Sequence, residues 1–460
     1  MSSEPRAEAP LGRQRWWTLV GATGAASLTL VDQTIVAIAL PTIQAELGMS
    51  AGALQWVVTG YILAFAATVA LAGRLGDSYG HRRIYLTGIA VFTSASILAA
   101  MSPYGAVLLV ARVVQGVGGA LMLPSAISLV FEAFPKDGRG KAVGIYVSVS
   151  QFFLAAGPIL GGVLLSVGSW RLVFLVNVPV AILAFTISAI VKPSKQGLAS
   201  APRGWSAAIL LAAGTGCLVF ALQNAHSLGW GSPILWGLMV AGAALTSWFA
   251  RTQLATSEPL IDLRLFAQQK FRMDALILFV LQFVIIPATV WAAIFLQDGV
   301  GLSPLLAGFG VFPYAGSLLV GALAGGRLFD AHGIRAPTLW GIGCMALGTV
   351  GFAVAASALN YWLLLPGLLV GGFGAGLSFP ALNTDALGQA KDQTRGQASG
   401  LLQTIRQSGG AFGAAIVGSI VLAQSASHGL SAAVAGGFLA MGGLLVVVLI
   451  QAARRLRGSG

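Results

Sequence analysis

The ten residues GRLGDSYGHR, numbered 73–82, recur 253 positions later as GRLFDAHGIR, numbered 326–335, with six of ten positions identical. Further along, the repeat continues at an offset of 256. The matching pairs are Gly116 with Gly372, Gly118 with Gly374, Leu121 with Leu377, Pro124 with Pro380, Gly144 with Gly400, Gln151 with Gln407, Gly157 with Gly413, and Gly162 with Gly418. The chain is therefore built from two equivalent halves in the same orientation, an arrangement common in membrane transporters.

Composition places the repeat in a membrane. Of the 460 residues, 57% are hydrophobic and 9% are charged, whereas a soluble domain carries roughly a quarter charged residues. Fourteen apolar segments are long enough to span a bilayer. They lie near 16–40, 53–72, 84–101, 105–130, 142–166, 171–191, 205–224, 233–250, 273–297, 304–326, 336–357, 361–384, 397–423 and 430–452. We expect an all-α integral membrane protein.

The repeat offset divides the chain into domains. Spans 1–6 and 9–14 form two six-helix bundles, and spans 7 and 8 are an inserted pair. The expected divisions are an N-terminal tail at 1–15, a first bundle at 16–191, linkers with the inserted helices at 192–272, a second bundle at 273–453 and a tail at 454–460.

Basic residues orient the bundle. Of the 26 Lys and Arg residues, 23 fall on the side that holds both termini, Arg171 falls on the other side, and Arg112 and Arg406 fall within spans. The positive-inside rule makes that side cytoplasmic. The net charge of +12 then reflects topology and indicates no nucleic-acid partner.

Asp32 is the sharpest functional candidate. A carboxylate inside a spanning helix is costly and by default functional. Arg112 falls at a similar depth in span 4, so the two charges are expected to face one cavity, each lowering the cost of burying the other. Burial and a nearby arginine move a carboxyl pKa in opposite directions, which suits a proton-coupling site. A purely structural ion pair is the alternative.

Three further groups of candidates follow. The repeated loop predicts a latch between the halves, in which a carboxylate meets a helix N-terminus or an arginine; its residues are Gly73, Asp77, Gly80, Arg82, Arg83, Asp330 and Arg335. In span 5, a proline and close-packing glycines predict a bent helix; they are Gly157, Pro158, Gly161 and Gly162. Cavity candidates are Trp56, Tyr61, Gln115, Gln151, Phe152, Phe153, Gln282, Trp291 and Gln407. Arg406 is expected near the inner end of span 13, where its side chain can snorkel.

The sequence contains no motif for nucleotide binding and none of the common hydrolase motifs. No phosphate-binding loop of the GxxxxGK[ST] type, no HExxH and no GxSxG is found. The four histidines are scattered, with no spacing typical of a metal site. We therefore expect no enzyme activity, no metal and no cofactor, with transport driven by a proton or substrate gradient.

Four motifs together resemble the fourteen-span drug–proton antiporters of the major facilitator superfamily. Residues 30–41 resemble that group's helix-1 signature, residues 73–83 its loop 2–3 motif, residues 112–118 its helix-4 motif linked to proton transfer, and Gly157-Pro158 with Gly161-Gly162 its antiporter motif. Ala37 departs from the usual asparagine, and Ser78 and His81 replace usual arginines.

The resemblance implies the major facilitator fold and a monomer in a bacterial cytoplasmic membrane. It implies export of small amphipathic drugs or drug-like metabolites in exchange for protons, with membrane lipid as surroundings. A dedicated exporter of one natural product or metabolite remains an alternative, as does a proton symporter or facilitative importer, against which the Gly157-Pro158 motif argues.

Overall fold

The computed structural model describes residues 12–190, 205–256, 259, 263–302, 304–358, 360–391 and 394–456, and in these ranges the regular structure is helical throughout. The first bundle consists of α1 (Gly12–Leu47), α2 (Ala51–Tyr79), α3 (His81–Ala100), α4 (Gly105–Ala133), α5 (Arg139–Val167), α6 (Arg171–Leu175) and α7 (Asn177–Ile190). The inserted segment contains α8 (Trp205–Gln223), α9 (Ala225–Leu228) and α10 (Pro233–Ala255). The second bundle consists of α11 (Gln269–Ile294), α12 (Pro304–His332), α13 (Arg335–Ala358), α14 (Tyr361–Gln389), α15 (Arg395–His428) and α16 (Leu430–Leu456).

Every predicted span coincides with a described helix, except that the sixth is divided between α6 and α7. Some domain limits differ: α1 begins at Gly12, inside the predicted tail, and α16 ends at Leu456. The linker predicted at 192–204 lies outside the described residues.

The count of fourteen spans is not confirmed. Among the described residues, eleven helices are long and apolar enough to cross a membrane, and α5 makes a twelfth if its two bent parts form one span. In α8 only the shorter segment Ile209–Leu222 is apolar, and α15 is not one of the eleven. Helix α15 carries Gln403, Arg406 and Gln407 within its length, and such polar positions weaken the signal of a spanning segment.

Glycine separates the helices at equivalent points of the two halves. Gly80, between α2 and α3, has φ of 90°, and Gly333, between α12 and α13, has φ of 69°. Positive φ strains every residue with a Cβ, so both glycines are required where the chain reverses. We call the end of the bundle that holds these two turns the basic end.

Two helix pairs join the halves. Helix α2 of the first bundle packs along α15 of the second, and α5 of the first packs along α12 of the second. Within the first bundle, α1, α2 and α3 surround α4, and α1 also packs on α5. The inserted helices α8 and α10 pack on each other, and α8 also contacts α2. The main contacts between the halves are therefore made by α2, α5, α12 and α15, and α4 with α15 and α5 with α14 add further contacts.

Candidate functional site

Asp32 lies at the centre of the first bundle, in contact with Arg112 of α4. Both residues have 0% exposure. One guanidinium nitrogen of Arg112 donates to the Oδ2 atom of Asp32. The other carboxylate oxygen, Oδ1, accepts from Gln115 Nε2 at 2.9 Å and from Asn177 Nδ2 at 3.1 Å. Ser96 Oγ accepts from the same two amides. Three donors thus satisfy a carboxylate that is held away from water.

Aromatic rings and a backbone carbonyl fix the guanidinium of Arg112. Its Nε donates to Val57 O at 2.7 Å. Its central carbon lies 4.5 Å from the centre of the Tyr61 ring and 5.8 Å from that of Phe174. Cation–π contacts of this kind strengthen when the site is desolvated. Tyr61, named from sequence as a cavity residue, therefore supports the ion pair and is itself fully buried.

At the basic end, each half caps a helix of the other. The Asp77 carboxylate of α2 accepts from the backbone N–H groups of Gly396 and Gln397, both at 2.8 Å, at the start of α15. The Asp330 carboxylate of α12 accepts from Gly140 and Lys141, also at 2.8 Å, at the start of α5. A carboxylate at a helix N-terminus pairs with unsatisfied donors and with the positive end of the helix dipole. We call these two contacts the reciprocal caps.

Glycines allow the capped helices to touch. A Cβ at Gly73 would overlap the backbone of Gly396, and a Cβ at Gly326 would overlap the backbone of Gly140. These four glycines form two equivalent helix crossings, one beside each reciprocal cap.

A cavity lies between the halves. It is partly open and is lined by residues of both bundles. Its first-bundle wall is mainly apolar and its second-bundle wall is polar. The lining residues are Leu30, Leu123, Pro124, Ile127, Tyr146, Val147, Ser150 and Gln151 on the first side and Asn383, Ser399, Gln403 and Arg406 on the second.

The profile of the Major Facilitator Superfamily matches residues 22–414. The chain belongs to the Major Facilitator Superfamily. It is therefore a multi-pass membrane transporter rather than an enzyme. Two transporter bundles around a cavity, joined by paired helix contacts, agree with that assignment.

Curated relatives in this superfamily include antibiotic-resistance exporters. The chain is 31% identical over 422 residues to the tetracenomycin C resistance and export protein of Streptomyces glaucescens, covering 89% of this chain and 76% of the relative. It is 30% identical over 418 residues to the multidrug resistance protein Stp of Mycobacterium tuberculosis (strain CDC 1551 / Oshkosh), covering 90% of this chain and 77% of the relative.

A solved structure of the human organic anion transporter MFSD10 has the same fold. It matches with a TM-score of 0.69 at 15% sequence identity and covers 97% of this chain and 100% of its own. At this level of identity the match describes the fold only.

The structure separates the latch candidates into three kinds. Asp77 and Asp330 form the reciprocal caps, with Gly73 at one of the helix crossings. Arg82 stays within its own half, where it donates to the carbonyls of Ser188 (2.8 Å) and Ala189 at the end of α7. Of the two partners predicted for the loop carboxylates, a helix N-terminus or an arginine, the structure shows the helix N-terminus. Two other arginines, Arg83 and Arg335, are exposed.

His81, at the start of α3, lies against Asp77. Its Nε2 atom lies 3.3 Å from Asp77 Oδ1 and 3.8 Å from Glu132 Oε1. The imidazole therefore lies directly behind one reciprocal cap.

The antiporter motif lies where α5 crosses α1. Helix α5 is bent by 46° between Leu154 and Ile159. Because proline lacks an N–H group, Pro158 leaves the Leu154 carbonyl without its helical partner, and Thr34 Oγ1 of α1 donates to that carbonyl at 2.9 Å. The side chain of Pro158 is outside the described part of the chain.

The glycines of this motif differ in their surroundings. A Cβ at Gly157 would overlap Thr34, and one at Gly161 would lie 3.1 Å from Ile35 O, whereas nothing lies within 4 Å of such an atom at Gly162. Only the first two glycines bring α1 and α5 together.

Few of the predicted cavity residues line the cavity. Gln151 does, and Phe152 contacts Phe312 of the other half with ring centres 6.0 Å apart. Trp56 instead stacks on Phe220 of α8 at 5.4 Å. Gln115 belongs to the Asp32 cluster, and Phe153 of α5 contacts Phe152 with ring centres 5.8 Å apart. The remaining candidates lie within the second bundle, with Trp291 buried and Gln407 and Gln282 half-buried. Asp32 and Arg112 contact each other, as expected from their similar depth, and neither lines this cavity.

Sequence reasoning missed several polar residues. Asn177 and Ser96 complete the Asp32 cluster, and a lone amide in an apolar segment was the available signal. In the second bundle, Gln389 Nε2 donates to both Asp274 (3.0 Å) and Asp385 (2.7 Å). Arg406 was expected to snorkel near the inner end of its span. Instead it lies eleven positions after the first residue of α15 and lines the cavity.

Proposed function

We propose that this transporter is a proton-coupled antiporter that exports small amphipathic drugs or drug-like metabolites by alternating access, with Asp32 as the proton-coupling carboxylate. The observation that carries the proposal is the complete burial of Asp32 against Arg112. A titratable group in that position is costly unless its charge is used.

Protonation of Asp32 changes the forces on Arg112. With Asp32 ionised, the guanidinium has a negative partner; with Asp32 protonated, the same guanidinium is a buried charge with neutral acceptors only, which is unfavourable. Loading a proton therefore favours a rearrangement that rehydrates or re-pairs Arg112, and release of the proton restores the pair.

Helix α2 connects this cluster with the interface between the halves. Val57 and Tyr61 of α2 contact Arg112, and Asp77 at the other end of the same helix caps α15. The twenty residues from Val57 to Asp77 span about 30 Å at the helical rise. A shift of α2 that follows Asp32 protonation would weaken the cap and open the basic end, as alternating access requires.

The same proposal includes topology and energy source. Both termini lie in the cytoplasm, the chain crosses the cytoplasmic membrane fourteen times, and a monomer surrounded by lipid is the working unit. The proton gradient supplies the energy, with no cofactor. The predominance of basic residues at one end supports this orientation.

A dedicated exporter of a single natural product is the second candidate. Its support is that one relative is named for tetracenomycin C alone, whereas Stp is named for multidrug resistance. A proton symporter or importer has less support, because the Thr34–Leu154 contact and the bend in α5 belong to the motif typical of antiporters.

Everted membrane vesicles test the proposal. Vesicles that hold wild type should accumulate aromatic amphiphiles when the lumen is acidified, and Asp32→Asn vesicles should lose this accumulation. Exchange of labelled for unlabelled amphiphile, which needs no net proton movement, should persist in Asp32→Asn. Asp137→Asn, which makes the same change at an exposed acid, is the matched control. Accumulation that survives in Asp32→Asn would refute the coupling role.

A further inference from the structure

The cavity between the halves contains an unpaired cation. Arg406 lines it from α15. Its Nη1 donates to the neutral Gln403 Oε1 at 3.2 Å, and its guanidinium carbon lies 4.6 Å from the centre of the Phe379 ring. Its Nε atom is buried with no hydrogen-bond partner. Among the described residues, the ion pairs within 4.0 Å involve other groups, and none includes Arg406.

Placing an arginine at this position is energetically unfavourable. Arg406 is half-buried with its Nε atom fully buried, and a charge partly withdrawn from water without a counterion loses hydration and gains little from neutral contacts. In a bundle of membrane-spanning helices such a residue is a candidate for ligand binding. The missing partner must be an anion, and the described cavity wall supplies none because no Asp or Glu lines it.

The residue equivalent to Arg406 in the first half is uncharged. The repeat offset of 256 relates Arg406 to Ser150 of α5, and both line the same cavity. Ser150 Oγ is also a buried polar atom without a hydrogen-bond partner. The two halves therefore present a hydroxyl and a guanidinium to one space, and only the second half contributes charge.

The opposite wall suits an apolar group. Leu30, Leu123, Ile127 and Val147 line it. Asp32, two positions from Leu30, is turned into the first bundle and satisfied by three donors, so it offers no negative charge to a cationic ligand.

We infer that Arg406 binds an anionic oxygen group of the transported molecule, a carboxylate or ionised phenol on an aromatic amphiphile, while the first-bundle wall holds the molecule's apolar part. The inference rests on the proposed export function and specifies its substrate class.

A charge series on one ring system tests the inference. Purified protein in phosphatidylcholine nanodiscs is titrated with anthracene-9-carboxylate, anthracene-9-carboxamide and 9-(aminomethyl)anthracene, and binding is followed by anthracene fluorescence. Wild type should bind the carboxylate most tightly. Arg406→Gln should weaken carboxylate binding roughly 10- to 100-fold, as expected for loss of a charged hydrogen bond, and Arg406→Lys should restore part of it. Carboxamide binding should change less than about threefold, since a neutral group gains little from the charge.

Thermal unfolding without ligand separates binding from structure. Because Arg406 is unpaired, Arg406→Gln should unfold at the same or a higher temperature than wild type. The control Arg251→Gln removes an exposed arginine from α10 and should change neither binding nor unfolding. A clear loss of stability in Arg406→Gln would assign the arginine a structural role and overturn the inference. Equal carboxylate binding by Arg406→Gln and wild type would do the same.

Two further measurements, a change of lipid and a transport assay, distinguish a lipid ligand from a substrate and separate failure of the inference from failure of the proposed function. Loss of carboxylate binding when phosphatidylglycerol replaces phosphatidylcholine would assign the cavity to a lipid headgroup and refute the inference. Carboxylate binding that depends on Arg406, combined with no transport of any of the three compounds, would leave the inference standing and refute the exporter proposal. Transport of the amine and not of the carboxylate would refute the inference and keep the exporter proposal.

Discussion

The reciprocal caps predict a measurable change in the equilibrium between conformations. Asp77→Ala removes two hydrogen bonds from backbone N–H groups at the start of α15. Loss of a helix N-cap costs about 0.5–2 kcal/mol. Opening of the basic end by separation of α2 from α15 would break this contact, so the variant should shift the open-to-closed ratio by about 2- to 30-fold. Asp77→Ala with Asp330→Ala should add the two effects, because the caps lie on separate helix pairs.

Pulsed electron spin resonance measures this ratio. Spin labels replace the exposed residues Arg83 and Arg335, one in each half at the basic end, after Cys217 and Cys344 are changed to serine. The fraction of long distances should rise in Asp77→Ala and rise further in the double variant. Asp137→Ala, which removes an exposed acid at the same end, is the control.

An unchanged distance distribution in both variants would refute the reasoning. It would mean that the caps contribute equally to open and closed conformations, or that the two halves do not separate at this end. A shift in Asp137→Ala as large as that in Asp77→Ala would also refute it, because general loss of negative charge would then explain the change.

Three other predictions concern stability. Thr34→Val removes the hydroxyl that satisfies the Leu154 carbonyl and should lower the free energy of unfolding by about 1 kcal/mol, measured by thermal unfolding in detergent. Asp385→Asn removes one of two carboxylates that share the Gln389 amide; relief of like-charge repulsion should raise the unfolding temperature at pH 8. Hydrogen bonding from Arg171 lowers the pKa of Glu46, so its contribution is present at neutral pH and lost as pH falls through that lowered pKa. Glu46→Gln should therefore be less stable than wild type at pH 7, and the difference should vanish in acid.

Each of these has an outcome that contradicts it. Equal stability of Thr34→Val and wild type would mean that the Leu154 carbonyl finds another donor. A lower unfolding temperature for Asp385→Asn would show that the acid pair is a stabilising network. A stability difference between Glu46→Gln and wild type that stays constant as the pH falls through the acid range would exclude titration of Glu46 as its cause.

The repeat and the apolar segments were enough to predict the helices. Equal depth along antiparallel spans predicted that Asp32 and Arg112 meet, because the helical rise converts residue number into distance. Depth did not predict which residues line the cavity, because depth does not determine which side of a helix faces the interface. Asp32 and Leu30 are close in depth, yet only Leu30 lines the cavity.

The sequence did not predict which residues of other helices contact Asp32 and Asp77. Asn177 and Ser96 each stand alone in apolar segments, and their meeting at Asp32 depends on how α3 and α7 pack. Asp77 allowed two partners, an arginine or a helix N-terminus, and only the contact between α2 and α15 decides between them. Arg406 was expected to snorkel from near the inner end of its span, whereas the packing of α15 against the first bundle places its side chain at the cavity.

The central claim is that substrate leaves as protons enter, through Asp32. The most direct measurement is proton flux in liposomes that hold the purified protein under an imposed proton gradient, recorded when anionic, neutral and cationic aromatic amphiphiles are added. The account predicts that at least one of these classes triggers proton movement opposite to its own direction in wild type and none in Asp32→Asn. Proton movement in the same direction as the substrate, or coupling that persists in Asp32→Asn, would contradict it.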